Sequence, residues 1–592
     1  MFVKLVVSKS RNRVCYCEAS EKFVDLRFSF LTVPLGIQGN NSNVASGFSY
    51  EVQALDIEEY THQQYYYNSD VWRDMEWVTS GLIQGFDDSF SIRKTRPEPE
   101  LPTMDDDTVI CLKVVVDKTK DRVVFVESDD KFVDVLFSFL TMPMGTIVRL
   151  TRNRGPTTNI GCMNNLYNSV EILDALYLRT KACKTMLLYP RNGAAAQCKN
   201  LKLAIHDGAS LRYFLCSRTG CRNSGYKLLS HYPDAICWCG ERMYSADLVE
   251  NKTRRVSSDE KDRGVFVKGP IRLMISDELR IMPPSTAASF SLFSELGIED
   301  MSVVDDRTFT MGKLEALNLL KCLLVSKTPL TEALLDHIPV LSLNDTEDLE
   351  RVSIGRLKGE ASNEDGKMYV KLMVSKSKNR VCYCEASENF VDLLFSFLTV
   401  PLGFIVKEMQ KGSSTGCINH LYDSIQDLDA RNYLVSKETT AMLTSPKLAP
   451  GFRYEGQALD IEEYMHQPYY LTRSQNILMP TSDETLIPPG ETVYSSALTV
   501  MDPKSHHNDN SSSTGFIKGP AMFTITDDLI ISPLSSVTGL SAVRKLKIPF
   551  TDIEERVVYV GKEEASCLMV AALISESALT NTFLLKEMEQ GS

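Results

Sequence analysis

Nowhere in the 592 residues does an apolar run approach the ~18 residues that a membrane helix needs, so no stretch reads as a membrane span. The amino-terminal FVKLVV is too short for a signal peptide and has no small-residue cleavage site after it, which makes the cytosol or nucleus the expected compartment. There is no Walker loop and no G-x-G-x-x-G, so the commonest phosphate and dinucleotide cradles are missing. Positive charge is also short: 64 Lys and Arg against 77 Asp and Glu leave a net charge of −13, which opposes long-range attraction to nucleic acid or anionic lipid. Cysteine, by contrast, is plentiful. In a reducing compartment the 15 thiols stay free, and their use is in packing or metal binding.

What the chain has is repetition. Residues 1–36 return almost unchanged at 368–403, and a looser copy occupies 110–145. A unit that occurs three times reads as architecture before chemistry, because an enzyme needs one chemistry and a repeat supplies many surfaces. The two larger copies are collinear: the offset is 258 from Lys113 to Lys371 and still 249 from Gly312 to Gly561. The expected fold class is α+β, a tandem repeat of a domain containing a β-hairpin and helices, with two large copies and an N-terminal fragment. Residues 1–107 are the truncated repeat and an irregular linker, 108–341 the first full repeat with a cysteine-rich insert, 342–366 a polar linker, and 367–592 the second full repeat. The polar linker leads to the expectation that each large copy folds separately.

Inside each copy, KVVVDKTKDRVVFVE alternates apolar residues around a polar turn and reads as a hairpin. In FVDVLFSFLTMPMG, Phe132, Leu136, Phe139 and Leu140 recur at helical spacing, Asp129 or Asp130 can cap the start, and Pro143 with Gly145 mark the stop. VFVKG before Pro270 and GFIKG before Pro520 look strand-like, and the apolar stretches behind them end at Asp277 and Asp527 in a turn. Each copy closes with a strand and a helix that opens at GKLEA or GKEEA, the latter with Ala565, Leu568, Met569, Ala572 and Leu573 on one side. The fragment keeps the hairpin but carries Arg27 where the copies have Leu136 and Leu394, and its segment 36–107 reads as irregular.

The ordered set K-L-x-V-x-K, F-V-D-x-L-F-S-F-L-T, P-x-G, G-C-x-N-x-L-Y, F-x-K-G-P and a closing G-K-x-E-A helix resembles the plant proteins grouped as domain of unknown function 674. The resemblance covers both large copies nearly end to end and implies a plant origin. It implies no reaction, cofactor or catalytic residue.

The best candidate for chemistry is YFLCSRTGCRNSGYKLLSHYPDAICWCGERM. Cys216 and Cys221 precede a ~15-residue excursion that ends in Cys237 and Cys239, and four thiolates so spaced can enclose a structural zinc ion. Cys-Trp-Cys is tighter than the usual Cys-x-x-Cys, His231 is a substitute ligand, and the plain alternative is four reduced, partly buried thiols. Arg218, Arg222, Lys227 and Arg242 make the segment locally basic. Other pairings fail a comparison between copies: Cys382 and Cys384, like Cys15 and Cys17, face Val124 and Val126 in the first copy, and Cys417 with His420 faces Cys162 with Asn165, which has no base. Glu462 with His466, and Glu58 with His62, have helical spacing and read as a solvated acidic face. The functional expectation is a non-enzymatic protein that binds other proteins, or scaffolds them, with a structural zinc element. A cryptic enzyme with a pocket in each repeat and a zinc-assisted nucleic-acid binder are the alternatives.

Overall fold

The computed structural model describes residues 2–8, 13–19, 48–54 and 60–67, and then residues 109–584 apart from 153–159, 204, 206–211, 217, 219–220, 222–226, 250–263, 336–367, 411–415, 466–467, 475–476, 488–496 and 506–513. The chain divides into two compact units, 1–98 and 99–592.

In the first unit, β1 (Phe2–Ser8) and β2 (Arg13–Ala19) form the expected hairpin. The stretch expected to be irregular contains β3 (Phe48–Ala54) and β4 (Tyr60–Tyr67), and the antiparallel sheet runs β2-β1-β4-β3. His62 is therefore on a strand and not on a helix; Glu58 and Arg27 lie outside the described residues.

The second unit holds helices and antiparallel sheets, an α+β fold. β5 (Ile110–Asp117) and β6 (Arg122–Asp129) pair as a hairpin in which Ile110, Leu112, Val114 and Val116 alternate inward and are buried. Helix α1 (Asp130–Thr141) follows, with the Asp129 carboxylate accepting the Lys131 N–H at 3.2 Å. All but Lys131 of its residues are buried, so it runs through the middle of the core and not merely along one face of the hairpin. Pro143 ends it, whereas Gly145 lies inside the next helix, α2 (Met144–Thr151). A Cβ at Gly145 would stand 3.0 Å from the Leu187 carbonyl and 3.1 Å from that of Leu398, so glycine is there for close approach and not to stop a helix. Next come α3 (Met163–Ile172) and three short strands, β7 (Tyr213–Cys216), β8 (Leu228–Ser230) and β9 (Met243–Ala246). VFVKG forms a single bridge, at Val267, instead of a strand; the strands are β10 (Arg272–Ser276) and β11 (Ile281–Met282) behind Pro270. The half closes with β12 (Val304–Met311), α4 (Lys313–Val325) and α5 (Pro329–Leu334). The five-stranded order is β11-β10-β6-β5-β12.

The second half contains β13 (Met368–Ser375), β14 (Arg380–Ser387), α6 (Glu388–Ser396), α7 (Leu402–Gln410) and α8 (Cys417–Asp427). The hairpin β15 (Tyr470–Ser474)–β16 (Ile477–Thr481) and the short β17 (Thr499–Val500) come next. They precede β18 (Met522–Thr526), β19 (Ile531–Pro533), β20 (Ile553–Val560), α9 (Lys562–Ile574) and α10 (Ala578–Phe583). Its five-stranded order is β19-β18-β14-β13-β20. The GKLEA and GKEEA segments start helices, as expected: Glu315 accepts the Gly312 N–H at 2.8 Å and Glu564 the Gly561 N–H at 3.0 Å.

The halves are interlocked. Helix α3 of the first half packs on the second sheet: the Cys162 N–H donates to the Ala572 carbonyl (2.8 Å), Asn165 donates to the Asp528 carbonyl (2.8 Å), and the Ser169 hydroxyl accepts the Ile531 N–H (3.0 Å). Helix α8 of the second half returns the exchange, with the Ser424 hydroxyl accepting the Ile281 N–H at 2.9 Å and the Cys417 thiol donating to the Lys327 carbonyl at 3.3 Å. Leu178 bridges Ile517, and Val267 bridges Leu434. One hydrophobic core, reaching from Ile110 to Leu584, takes residues from both halves. Independent folding of the copies does not fit this arrangement, since each sheet is covered in part by the other half's helix.

Candidate metal centre

The strand period places the first cysteine. Along β7, Tyr213 and Leu215 point into a small cluster with Tyr469, Leu471 and Leu498, whereas Phe214 and Cys216 point the other way, among Leu228, Ala235, Cys237, Met243 and Met501. β9 pairs with β7 so that Met243 lies opposite Cys216. Between β8 and β9 the chain folds on itself: Ile236 bridges Arg242, the Cys237 N–H donates to the Glu241 carbonyl at 2.9 Å, and the Gly240 N–H donates back to the Cys237 carbonyl at 2.8 Å. Gly240 sits at φ +84°, which glycine adopts without strain. This turn lets the tight Cys-Trp-Cys spacing deliver both sulfurs to one side.

The four sulfurs of Cys216, Cys221, Cys237 and Cys239 all lie within 4.8 Å of one another, and those of Cys216 and Cys239 are 3.6 Å apart. Tetrahedral zinc with Zn–S bonds of ~2.3 Å would set sulfur separations of roughly 3.8 Å, so the set is close enough to bind a metal. The Arg218 N–H points at the Cys216 sulfur at 3.4 Å, and the Arg218 carbonyl accepts the Cys221 N–H at 3.1 Å, which shapes the first knuckle. Burial pushes the Cys237 thiol up. Cys221 is pushed up to about 11, first by its hydrogen bond with Cys239 and then by burial. At Cys239 burial also pushes upward, but the Glu241 N–H and the neighbouring thiols outweigh it and bring the group down to about 7. Such a set gives up protons when a thiophilic cation enters.

The sheet carrying the cysteines is completed by the other half. β17 runs parallel to β8 in the order β17-β8-β7-β9; the Thr499 N–H donates to the Lys227 carbonyl at 2.7 Å and the Met501 N–H to the Leu229 carbonyl at 2.9 Å. Beyond Met501, Lys504 is fully buried, its ammonium donating to the Gly451 and Arg453 carbonyls beside Asp502, and the Pro503 carbonyl accepts the Thr180 hydroxyl at 2.7 Å.

His231 does not join the cysteines; its ring stands edge-on to Tyr213 and Tyr469 at 5.3 and 5.8 Å. Lys227 is buried, so the basic patch contracts to Arg218 and Arg242, with Arg222 outside the described residues. Cys382 and Cys384 are buried strand residues, as their replacement by valine suggests. Cys417 and His420 do not form a nucleophile and base, because the thiol bonds Lys327 while the imidazole Nδ1 lies 3.2 Å from the Glu278 carbonyl. Residues 461–465 are not helical, and Glu462 pairs with Lys447 at 2.6 Å.

Two pairs of buried carboxylates stand out: Asp134 and Asp392, which sequence reading passed over, and Asp277 and Asp527, which it read only as turn residues. Asp134 accepts the N–H groups of Val265, Phe266 and Val267 at 2.6–2.9 Å, and Asp392 those of Phe516 and Ile517 at 2.8 Å. Burial raises them to about 6 and about 7, against those hydrogen bonds. Asp277 binds Arg122 and Thr331 at 2.8–2.9 Å, and Asp527 binds Arg380 and Thr580 at the same range. For Asp134 and Asp392 the available signal was an aspartate within an apolar helix in both copies. These groups are engaged with backbone N–H, hydroxyl and guanidinium partners, as structural carboxylates are.

No helix among the described residues is long and apolar enough to cross a membrane. A family model described as "Protein of unknown function (DUF674)" matches residues 1–71 and 106–563. No curated protein and no solved structure matches the chain.

Proposed function

We propose, for a chain that belongs to the DUF674 family, a role without catalysis: a plant protein of the cytosol or nucleus that binds other proteins as a scaffold. Two duplicated α+β units make its body, and a structural zinc ion at Cys216, Cys221, Cys237 and Cys239 braces it. The observation that carries this reading is the convergence of four thiols within 4.8 Å. Soft thiolates in a tetrahedral set suit zinc, and a metal held by four protein sulfurs has no position left for water or substrate. The apolar clusters around these strands are small, so a metal there contributes stability that packing alone would not. Because β17 completes the sheet, the same ion would brace the join between the halves.

Metal analysis of protein purified under reducing, chelator-free conditions should find about one zinc per chain, and none after Cys216→Ser with Cys221→Ser. Wild-type protein without zinc would end the reading. The scaffold role is tested by affinity purification from plant tissue with the full chain and with a bait lacking residues 210–245. Specific partners retained by the full chain support it, and identical background lists for bait and empty resin oppose it.

A further inference from the structure

We propose that the outer edge of β2, which no described strand occupies, is a docking site for a β-strand supplied by another polypeptide. Residues 13–19 of β2, RVCYCEA, are identical to residues 380–386 of β14. The hairpins also share their register: Leu5 lies opposite Cys17 as Leu372 lies opposite Cys384, and the pairing slips between Val6 and Val7 as it does between Met373 and Val374. A sequence that forms the same hairpin presents the same backbone donors and acceptors on its outer edge.

Both complete sheets fill that edge. In the second half β18 pairs antiparallel with β14, Ile525 opposite Cys384 and Phe523 opposite Ala386; in the first half β10 pairs with β6, Ile275 opposite Val126. In the fragment, β4 occupies the side of β1 that β20 occupies on β13. Among the described residues β2 is the last strand of this sheet, and no described strand lies on the side that β18 would take. The sequence offers no third strand of that kind, since the filling strand follows Phe266–Pro270 in one copy and Phe516–Pro520 in the other, and no third F-x-K-G-P segment exists. An edge strand with an unmet ladder of N–H and C=O groups is a template for strand addition.

The occupant's chemistry follows from the strands that fill the two complete edges. Both are five residues long, follow Gly-Pro, and send alternate apolar side chains into the main core, Leu273 and Ile275 in one and Phe523 and Ile525 in the other, with Met274 and Thr524 buried between them. This chain's own two such strands are already paired on both sides, β10 with β6 and β11, β18 with β14 and β19, so lending either would open a sheet. The edge is therefore suited to an alternating apolar strand behind Gly-Pro on a different chain. This assignment gives the scaffold reading a surface and rests on it, but uses no part of the metal centre.

The test uses the full chain and a labelled synthetic peptide of residues 515–527, GFIKGPAMFTITD. Saturable binding, with amide exchange slowed over residues 13–19 and unchanged over 380–386, is expected, and the peptide with Phe523→Asp and Ile525→Asp should not bind. Absence of binding, or binding that leaves 13–19 unaffected, overturns the proposal. A concentration-dependent dimer that protects 13–19 without peptide overturns it too, by making a second copy the occupant. Each failure leaves the affinity purification free to find partners elsewhere, so this inference and the scaffold reading can fail separately.

Discussion

Asp392 sits inside an apolar helix, and its Oδ1 alone accepts both N–H groups that hold the Phe516 segment. Burial raises it to about 7, so between its unfolded value of ~3.9 and that point the folded state holds a proton the unfolded state has released. Its contribution to stability is fully present below ~4 and is lost as pH rises through about 7. Asp392→Asn keeps the accepting oxygen and cannot ionise. Thermal melts at pH 5 and pH 8 should show the wild type losing stability relative to the variant, on the order of a few kcal/mol; parallel curves would contradict this. Asp134 differs, because it uses both oxygens, Oδ2 for Val265 and Oδ1 for Phe266 and Val267. Asparagine there must turn an amide N–H toward a backbone N–H, so Asp134→Asn should cost about 1–3 kcal/mol below pH ~4, and the difference should narrow as pH rises through about 6, read from denaturant midpoints. The cysteines were legible at this scale because ligand chemistry is a matter of residue type and spacing. The aspartates were not, because an aspartate in an apolar helix looks like a solvent-facing interruption until its acceptors are seen.

At the scale of elements, the hairpins, the central helices and the closing strand–helix pairs were readable from period and capping residues. The errors fell where tertiary contact decides. VFVKG has a strand's alternation, yet its backbone pairs at one residue with the other half, and Gly145 resembles a helix stop until the carbonyls crowding its Cα are known. The crossed helices also went unseen: α3 presents Met163, Leu166 and Val170 whether it packs on its own sheet or the other, and the repeat pattern is the same for both. Its last-turn serine offers a direct check. Ser169 and Ser424 each accept a buried backbone N–H from the opposite half, at 3.0 and 2.9 Å. Ser169→Ala and Ser424→Ala should each lower stability by about 1–3 kcal/mol, and by similar amounts, in chemical denaturation. A neutral outcome for both would mean that these crossings contribute nothing to holding the halves together.

Taken whole, residues 99–592 form a single compact unit around one core. Residues 108–341 made alone would expose the face of α3 that the second sheet covers, and lose α8 from their own sheet edge. Neither 108–341 nor 367–592 should give a cooperative melt by itself, whereas the two expressed together should co-purify as a one-to-one complex. A sharp melt from either half alone would show that each sheet can cover itself.

The crossed helices also impose a waiting time. The Cys162 thiol finds its acceptor at Ser575, 413 residues later. At ~5–20 residues per second, synthesis separates the two by about 20–80 s. Throughout that interval the nascent first half carries an apolar helix whose outer face, packed only by the second half, is still uncovered, and chaperones that bind such surfaces would meet this chain early and hold it until its end emerges.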